Sequence, residues 1–166
     1  MNRFLQRAHD ALETAAGRLT LEQLTARPQG KWTIGEILEH LSLTYSHTAA
    51  GARRALTEGR PIPRPASLRS RFRAFFVVEC GYIPTGIESP KIVVPVGIDP
   101  STALPLAMDR LREMDRTLTE AAERFGTRRK LMSHPIIGPL NVRQWRRFHW
   151  VHTRHHVRQI LARATG

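Results

Sequence analysis

The chain has 166 residues, 41% of them apolar and 24% charged, and carries a formal net charge of +12. One hydrophobic core fits that length and two typical ones do not, so residues 1–166 are expected to form a single domain of soluble, globular composition. The lone Cys80 excludes an intramolecular disulfide, and the sequence lacks any apolar run of the roughly eighteen residues needed to cross a bilayer.

Met1 to Arg7 enters an amphipathic pattern at once, with no signal-like apolar core, and cytoplasmic residence is the expectation. Phe4, Ala8, Leu12, Ala15 and Leu19 recur at helical spacing and predict a first helix over 3–19. Thr20 with Gln23 has the form of a capping box for a short helical turn through Leu24, and Pro28 and Gly30 make the next stretch a loop. A second helix is expected over 34–58, capped by Thr33 with Glu36 and ended by Gly59 and Pro61. Its apolar stripe reads Ile34, Ile37, Leu38, Leu41, Tyr45, Ala52, Ala55 and Leu56, with His40 on the shoulder and His47 on nearly the same bearing.

Residues 60–100 are punctuated by Pro61, Pro63, Pro65, Pro84, Pro90, Pro95 and Pro100. A connection of that length in a compact protein is usually a crossover or a lid, and here it is expected to wall a pocket. Phe72–Val78 reads as a short helix within it, and Val93, Val94 and Val96 are compatible with a short strand. A third long helix carries Leu104, Ala107, Leu111, Met114, Leu118, Ala121 and Phe125. Because proline is tolerated only in a first turn, Pro105 places its start near Leu104. Residues 127–140 read as a stiff loop. Asn141 with Gln144 then caps a last helix reaching about Arg163, whose inner face is Trp145, Phe148, His149, His152, His156, Gln159 and Ile160. Four substantial helices without a convincing alternating strand predict an all-α four-helix bundle with a long crossover between helices two and three.

Histidine is the unusual content of that last face. Four of the eight histidines lie between 149 and 156, and residues three and four apart on a helix share a side. Imidazoles bind zinc, nickel, iron and copper, and bundle cores assemble such sites from facing helices. Spacing alone leaves open His149 with His152, His152 with His156, and a variant using His155. A third ligand is sought on another helix, with His40 the leading candidate and His47 in reserve. His134 and His149 are the candidates for an acid or base, a loop-anchoring hydrogen bond being the plainer role for His134. His155 and Arg154 are candidates for supporting groups that orient ligands or meet an anionic substrate. The basic residues fall in three groups, at 53–73, 124–130 and 143–163, without the aromatic alternation of a single-strand binder or a helix-turn-helix spacing. Nucleic acid is therefore not the expected partner.

The segments Trp32-Thr-Ile-Gly-Glu-Ile-Leu-Glu-His40 and His152-Thr-Arg-His-His156 resemble the two signatures of the DinB-like superfamily. The resemblance implies an up-down-down-up four-helix bundle, often homodimeric, with a divalent metal, zinc or nickel here, held by His40, His152 and His156. It further implies a metal-dependent enzyme in which a low-molecular-weight thiol or water is activated for transfer or hydrolysis on a small molecule, in the cytoplasm and without a membrane. The alternative is a non-catalytic stress-response binding module with a structural metal and a basic surface for an anionic partner. A fourth protein ligand, such as His47 or His149, would favour that alternative; an open position beside a pocket favours catalysis.

Overall fold

The computed structural model describes residues 1–83 and 89–165; Pro84, one of the prolines of the crossover, lies outside them. Helix α1 (Arg3–Ala16) buries Leu5, Ala8, Leu12, Ala15 and Ala16. The expected stripe is thus rotated slightly: Leu5 takes the core position assigned to Phe4, and the Phe4 ring stays partly exposed beneath the Arg3 guanidinium. Thr20 and Gln23 form both bonds of the predicted capping box for α2 (Leu21–Thr25). Thr33 and Glu36 do the same for α3 (Ile34–Thr57), whose predicted apolar stripe is buried along its whole length.

Helix α5 (Pro100–Phe125) starts a full turn before the expected Leu104. Asp99 accepts from Ser101 N and Pro100 occupies the first turn, so the start is fixed there. Pro105 then lies inside the helix, where it removes a bond to the Ser101 carbonyl. Both residues are exposed, so water can satisfy that carbonyl. Helix α6 (Val142–Ala164) carries the predicted Asn141–Gln144 capping box.

Contacts between the ends give the path. Asn2 N bonds Asp115, which also faces Arg146 near the start of α6, while Gln23 beyond α1 reaches Ala164 at the end of α6; α1 and α6 therefore run the same way. Gly35 lies against Pro100, and Arg124 donates to Leu56 O, so α3 and α5 start together and end together. The Nε atom of Arg163, at the end of α6, donates to Trp32 O just before α3, making the two pairs antiparallel. This is an up-down-down-up bundle. Parallel α3 and α5 oblige the chain to travel back along the bundle between them, and that is why the crossover is long.

The crossover is more ordered in its secondary structure than expected. Helix α4 (Leu68–Ala74) continues into a π-helical turn at Phe75–Glu79, and a 3₁₀ turn spans Lys91–Val93, where the valines form no strand. Strands do occur where a loop was expected: β1 (Lys130–His134) and β2 (Gly138–Asn141) pair as an antiparallel hairpin, with Gly138 at φ 78°. The irregular burial of β1 hides it from an alternation test. Ile62 N donates to Leu131 O, and a side chain at Gly138 would meet Ser70 at 2.8 Å, so hairpin, crossover and α4 pack as one roof against the α3–α6 side of the bundle. No described helix is long and apolar enough to cross a membrane.

Candidate metal centre

His40 occupies the second turn of α3 and is 2% exposed; His152 and His156 lie one turn apart on α6. The bundle brings their rings together at one point. His152 Nε2 is 3.3 Å from His40 Nε2 and 3.2 Å from His156 Nε2, and ligand atoms of all three lie within 4.8 Å of one another.

Hydrogen bonds at the far side of two rings decide where their lone pairs point. A carbonyl can only accept, so His40 Nδ1–H donates to Val93 O at 2.7 Å, leaving Nε2 unprotonated. Gln159 Oε1 likewise accepts from His156 Nδ1 at 2.9 Å. The Gln159 amide also donates to His155 Nε2 at 3.0 Å, which fixes its orientation. His152 is the member of the trio whose Nδ1 is buried without a partner among the described residues. Two inward lone pairs facing a third imidazole nitrogen repel each other unless a proton or a cation lies among them. All three rings are held neutral, the form that ligates metal. Burial lowers the pKa of His40, with the Val93 bond opposing. Burial, with His156 and His40 adding, keeps His152 well below the ordinary histidine range. Burial and the neighbouring His40 push His156 down to about 3.

The trio fits a divalent ion. Metal–nitrogen bonds of about 2.0–2.1 Å directed to tetrahedral corners put neighbouring ligand atoms about 3.3–3.4 Å apart, close to the two edges observed. Aromatic rings support it: Trp32 lies against His40 with centroids 5.1 Å apart, and Phe148 is nearly parallel to His152 at 5.5 Å.

The remaining sequence candidates lie elsewhere. His47 is exposed, and its Nε2–H donates to Ile92 O at 3.1 Å. His40 and His47 share a bearing on α3 because both dock the 3₁₀ turn of the crossover. His149 is fully buried, bonded through Nε2 to Thr48 Oγ1 at 2.9 Å and pushed down to about 3 by burial, with His134 adding. His134 Nδ1 accepts from the amides of Ile136 and Ile137, closing the hairpin turn, and burial pushes it down to about 4. Its loop-anchoring role is thus the one in view. Arg154 donates to Gly81 O, tying α6 to the crossover. Among the described residues no fourth His, Cys, Asp or Glu joins the trio. Cys80 is exposed.

Two residues escaped the sequence reading. Glu39 is 3% exposed and accepts from the amides of Val96, Gly97 and Ile98 at 2.9–3.2 Å, so adjacent residues of α3 pin the crossover at Val93 and at 96–98. Its bearing, about 140° around the helix from the centre of the apolar stripe, gave no signal of burial. Gln159, placed on the inner face by its spacing, proves to be the group that orients His156.

The trio opens on a cavity of about 1380 Å³ between α3, α6, the crossover and the hairpin, lined by Trp32, His134, Phe148 and His149 among others. Residues 60–100 do wall it, through Ile62, Arg64, Ser70, Arg73, Val77 and Val93.

Against known proteins, the sequence profile of the DinB superfamily matches residues 5–160. Among solved structures the chain is similar to YfiT from Bacillus subtilis, described as a probable metal-dependent hydrolase with an unusual four-helix bundle topology. The TM-score is 0.61 at 20% identity, over 98% of this chain and 83% of that one, a likeness of fold. No curated protein matches the chain in sequence.

Proposed function

The chain belongs to the DinB superfamily, and we propose that, as a single domain, it is a metal-dependent enzyme acting on a small molecule, with His40, His152 and His156 holding one zinc or nickel ion. The observation that carries this reading is the convergence of three Nε2 atoms, two of them freed of protons by bonds made at Nδ1. A divalent ion there would lower the pKa of a water or of a low-molecular-weight thiol and so supply a nucleophile at neutral pH, for hydrolysis or transfer. The similarity in fold to YfiT, described as a probable metal-dependent hydrolase, supports the hydrolytic form.

The protein's own residues have separable tasks in this reading. Val93 O fixes the His40 ring and Gln159 the His156 ring, while Trp32 covers His40 and Phe148 covers His152. His134 and His149, neutral and already hydrogen-bonded, frame the cavity. With His47 engaged by Ile92 and His149 by Thr48, nothing among the described residues closes a fourth position, which supports a reactive centre over the structural metal of a non-catalytic stress-response module. We place the protein in the cytoplasm as a homodimer, without nucleic acid or membrane as a partner. The outward stripe of Leu68, Phe72, Phe75 and Phe76 is apolar surface available to a second copy.

Protein purified without tag or chelator and offered zinc or nickel at micromolar concentration is expected to bind one ion per chain. His152→Ala and His156→Ala should each weaken binding by more than the roughly 10–100-fold typical of losing a merely supporting residue. Wild-type protein that binds neither ion would sink the metal centre.

A further inference from the structure

The cavity beside the histidines has an unusual charge lining. Lys31, Arg54, Arg64, Arg69, Arg73, Lys91 and Arg163 line it, and among the described residues no Asp or Glu does. Arg54 pairs with Glu58, and the other six have no carboxylate partner among the described residues. Several carboxylates are engaged away from it: Glu36 with Arg27, Glu113 with Arg53 and Arg110, Glu79 with Arg147, Asp115 with Arg146, and Glu39 with three backbone amides. Like charges gathered on one concave wall repel one another and focus a positive potential into the cleft.

Helix α4 is, moreover, inside out, although the π-helical turn that continues it buries Val77 and Val78 in the core. Arg69, Ser70, Arg73 and Val77 face the cavity, whereas Leu68 and Phe72, on the outer side, are 76% and 67% exposed. A helix normally turns its apolar face inward. Here the polar face is inward, toward a space whose other wall holds three neutral imidazoles that contribute no negative charge.

The geometry points to an anionic substrate: a small molecule whose carboxylate or phosphoryl group is held by Arg64, Arg69, Arg73 and Lys91 while its reacting end faces His40, His152 and His156. The placement of the reacting end rests on the metal-centre reading; the anion site does not. Chelator-treated, metal-free protein therefore tests it without interference from metal–anion bonds.

Titration calorimetry would compare phthalate and phenyl phosphate with the neutral phthalamide. At least one anion should bind about tenfold or more tightly than phthalamide and weaken as salt is raised, and the better of the two names the held group. The double variant Arg69→Glu, Arg73→Glu should lose that preference, and Arg69→Gln, Arg73→Gln should lose part of it, both with unchanged melting temperature because the positions are exposed. Equal binding of anion and amide, binding of neither anion, or a preference indifferent to both double variants would overturn the inference. Zinc affinity measured on the same preparations separates the two readings: a wild type that prefers anions yet binds no zinc keeps the anion site and loses the metal centre.

Discussion

Helices α5 and α6 are of similar length and both bury a stripe in the same core, yet they fill it with different chemistry. The stripe of α5 is Ala103, Ala107, Leu111, Met114, Leu118 and Ala121, with the buried Asp115 and Thr117 as the polar residues beside it. That of α6 has Trp145, Phe148 and Ile160, but gives corresponding places to His149, Thr153 and His156, with the partly buried His152 beside them. Aliphatic groups need only be excluded from water, whereas each buried ring nitrogen or hydroxyl needs a partner. Helix α3 supplies two of those partners, Thr48 for His149 and Tyr45 for Thr153. One helix is built for stability; the other keeps a row of buried polar groups at some expense to it, with Nδ1 of His149 and of His152 unpartnered among the described residues.

Acid should expose that difference most strongly. His149 and His134 have folded-state pKa values near 3 and 4, below the 6.5 of an unfolded histidine. The unfolded chain therefore takes up protons that the folded one does not, and stability falls as pH drops below 6.5 toward those values. At about 1.4 kcal/mol per pH unit per group, the two together remove on the order of 5 kcal/mol between about pH 6.5 and about pH 4.5. Urea melts of metal-free protein across that range should show the loss, with His149→Gln flattening part of it. A flat profile would mean that His149 on α6 and His134 on the hairpin that packs against it are not buried neutral.

On the other helix, Leu118→Ala should cost about 3 kcal/mol by leaving a cavity, independent of pH, while the folded protein keeps its metal affinity. Gln159→Leu inverts the pattern: stability should fall by only about 1 kcal/mol, and zinc affinity should fall about 10–100-fold because the His156 ring loses the acceptor that fixes its tautomer. Competition with a chromophoric chelator reads the second effect and thermal melting the first. If Gln159→Leu lowers the melting temperature but leaves zinc affinity alone, Gln159 is a packing residue.

What could be read in the sequence follows the same division. The starts of α2, α3 and α6 were legible because a capping box is a local, chemically defined pattern; Thr20 with Gln23, Thr33 with Glu36, and Asn141 with Gln144 all formed it. The apolar stripes of α3 and α5 were legible because burial repeats with the helix. Position on the second helix already made His40 the leading third ligand, whereas the choice of His152 with His156 followed from the family resemblance, spacing having also admitted pairs with His149 or His155. What stayed hidden depends on tertiary partners. The hairpin at 130–141 is too short and unevenly buried to alternate, and α5 passes through Pro105 because the freed carbonyl faces water. Glu39 is buried because three amides arrive from residues 96–98, more than fifty positions along the chain.

The smallest effect tests whether polarity at the α3–α6 seam is a stabilising feature at all. Tyr45 is fully buried, and its hydroxyl is 2.6 Å from Thr153 Oγ1. Burial raises its pKa far above the ordinary tyrosine value, so it is a neutral hydroxyl throughout. Tyr45→Phe should destabilise by about 1 kcal/mol, the net worth of a neutral buried hydrogen bond. Thr153→Val removes the other partner and should cost about as much, because it leaves the tyrosine hydroxyl unsatisfied. The double variant removes both polar groups at once and should therefore be less destabilised than the sum of the two, by about 0.5–1 kcal/mol in a double-mutant cycle. Strict additivity would show that each hydroxyl is satisfied elsewhere. A double variant as stable as wild type would show that this pair adds no net stability, and that the seam holds its polar groups for the histidines beside them rather than for the fold.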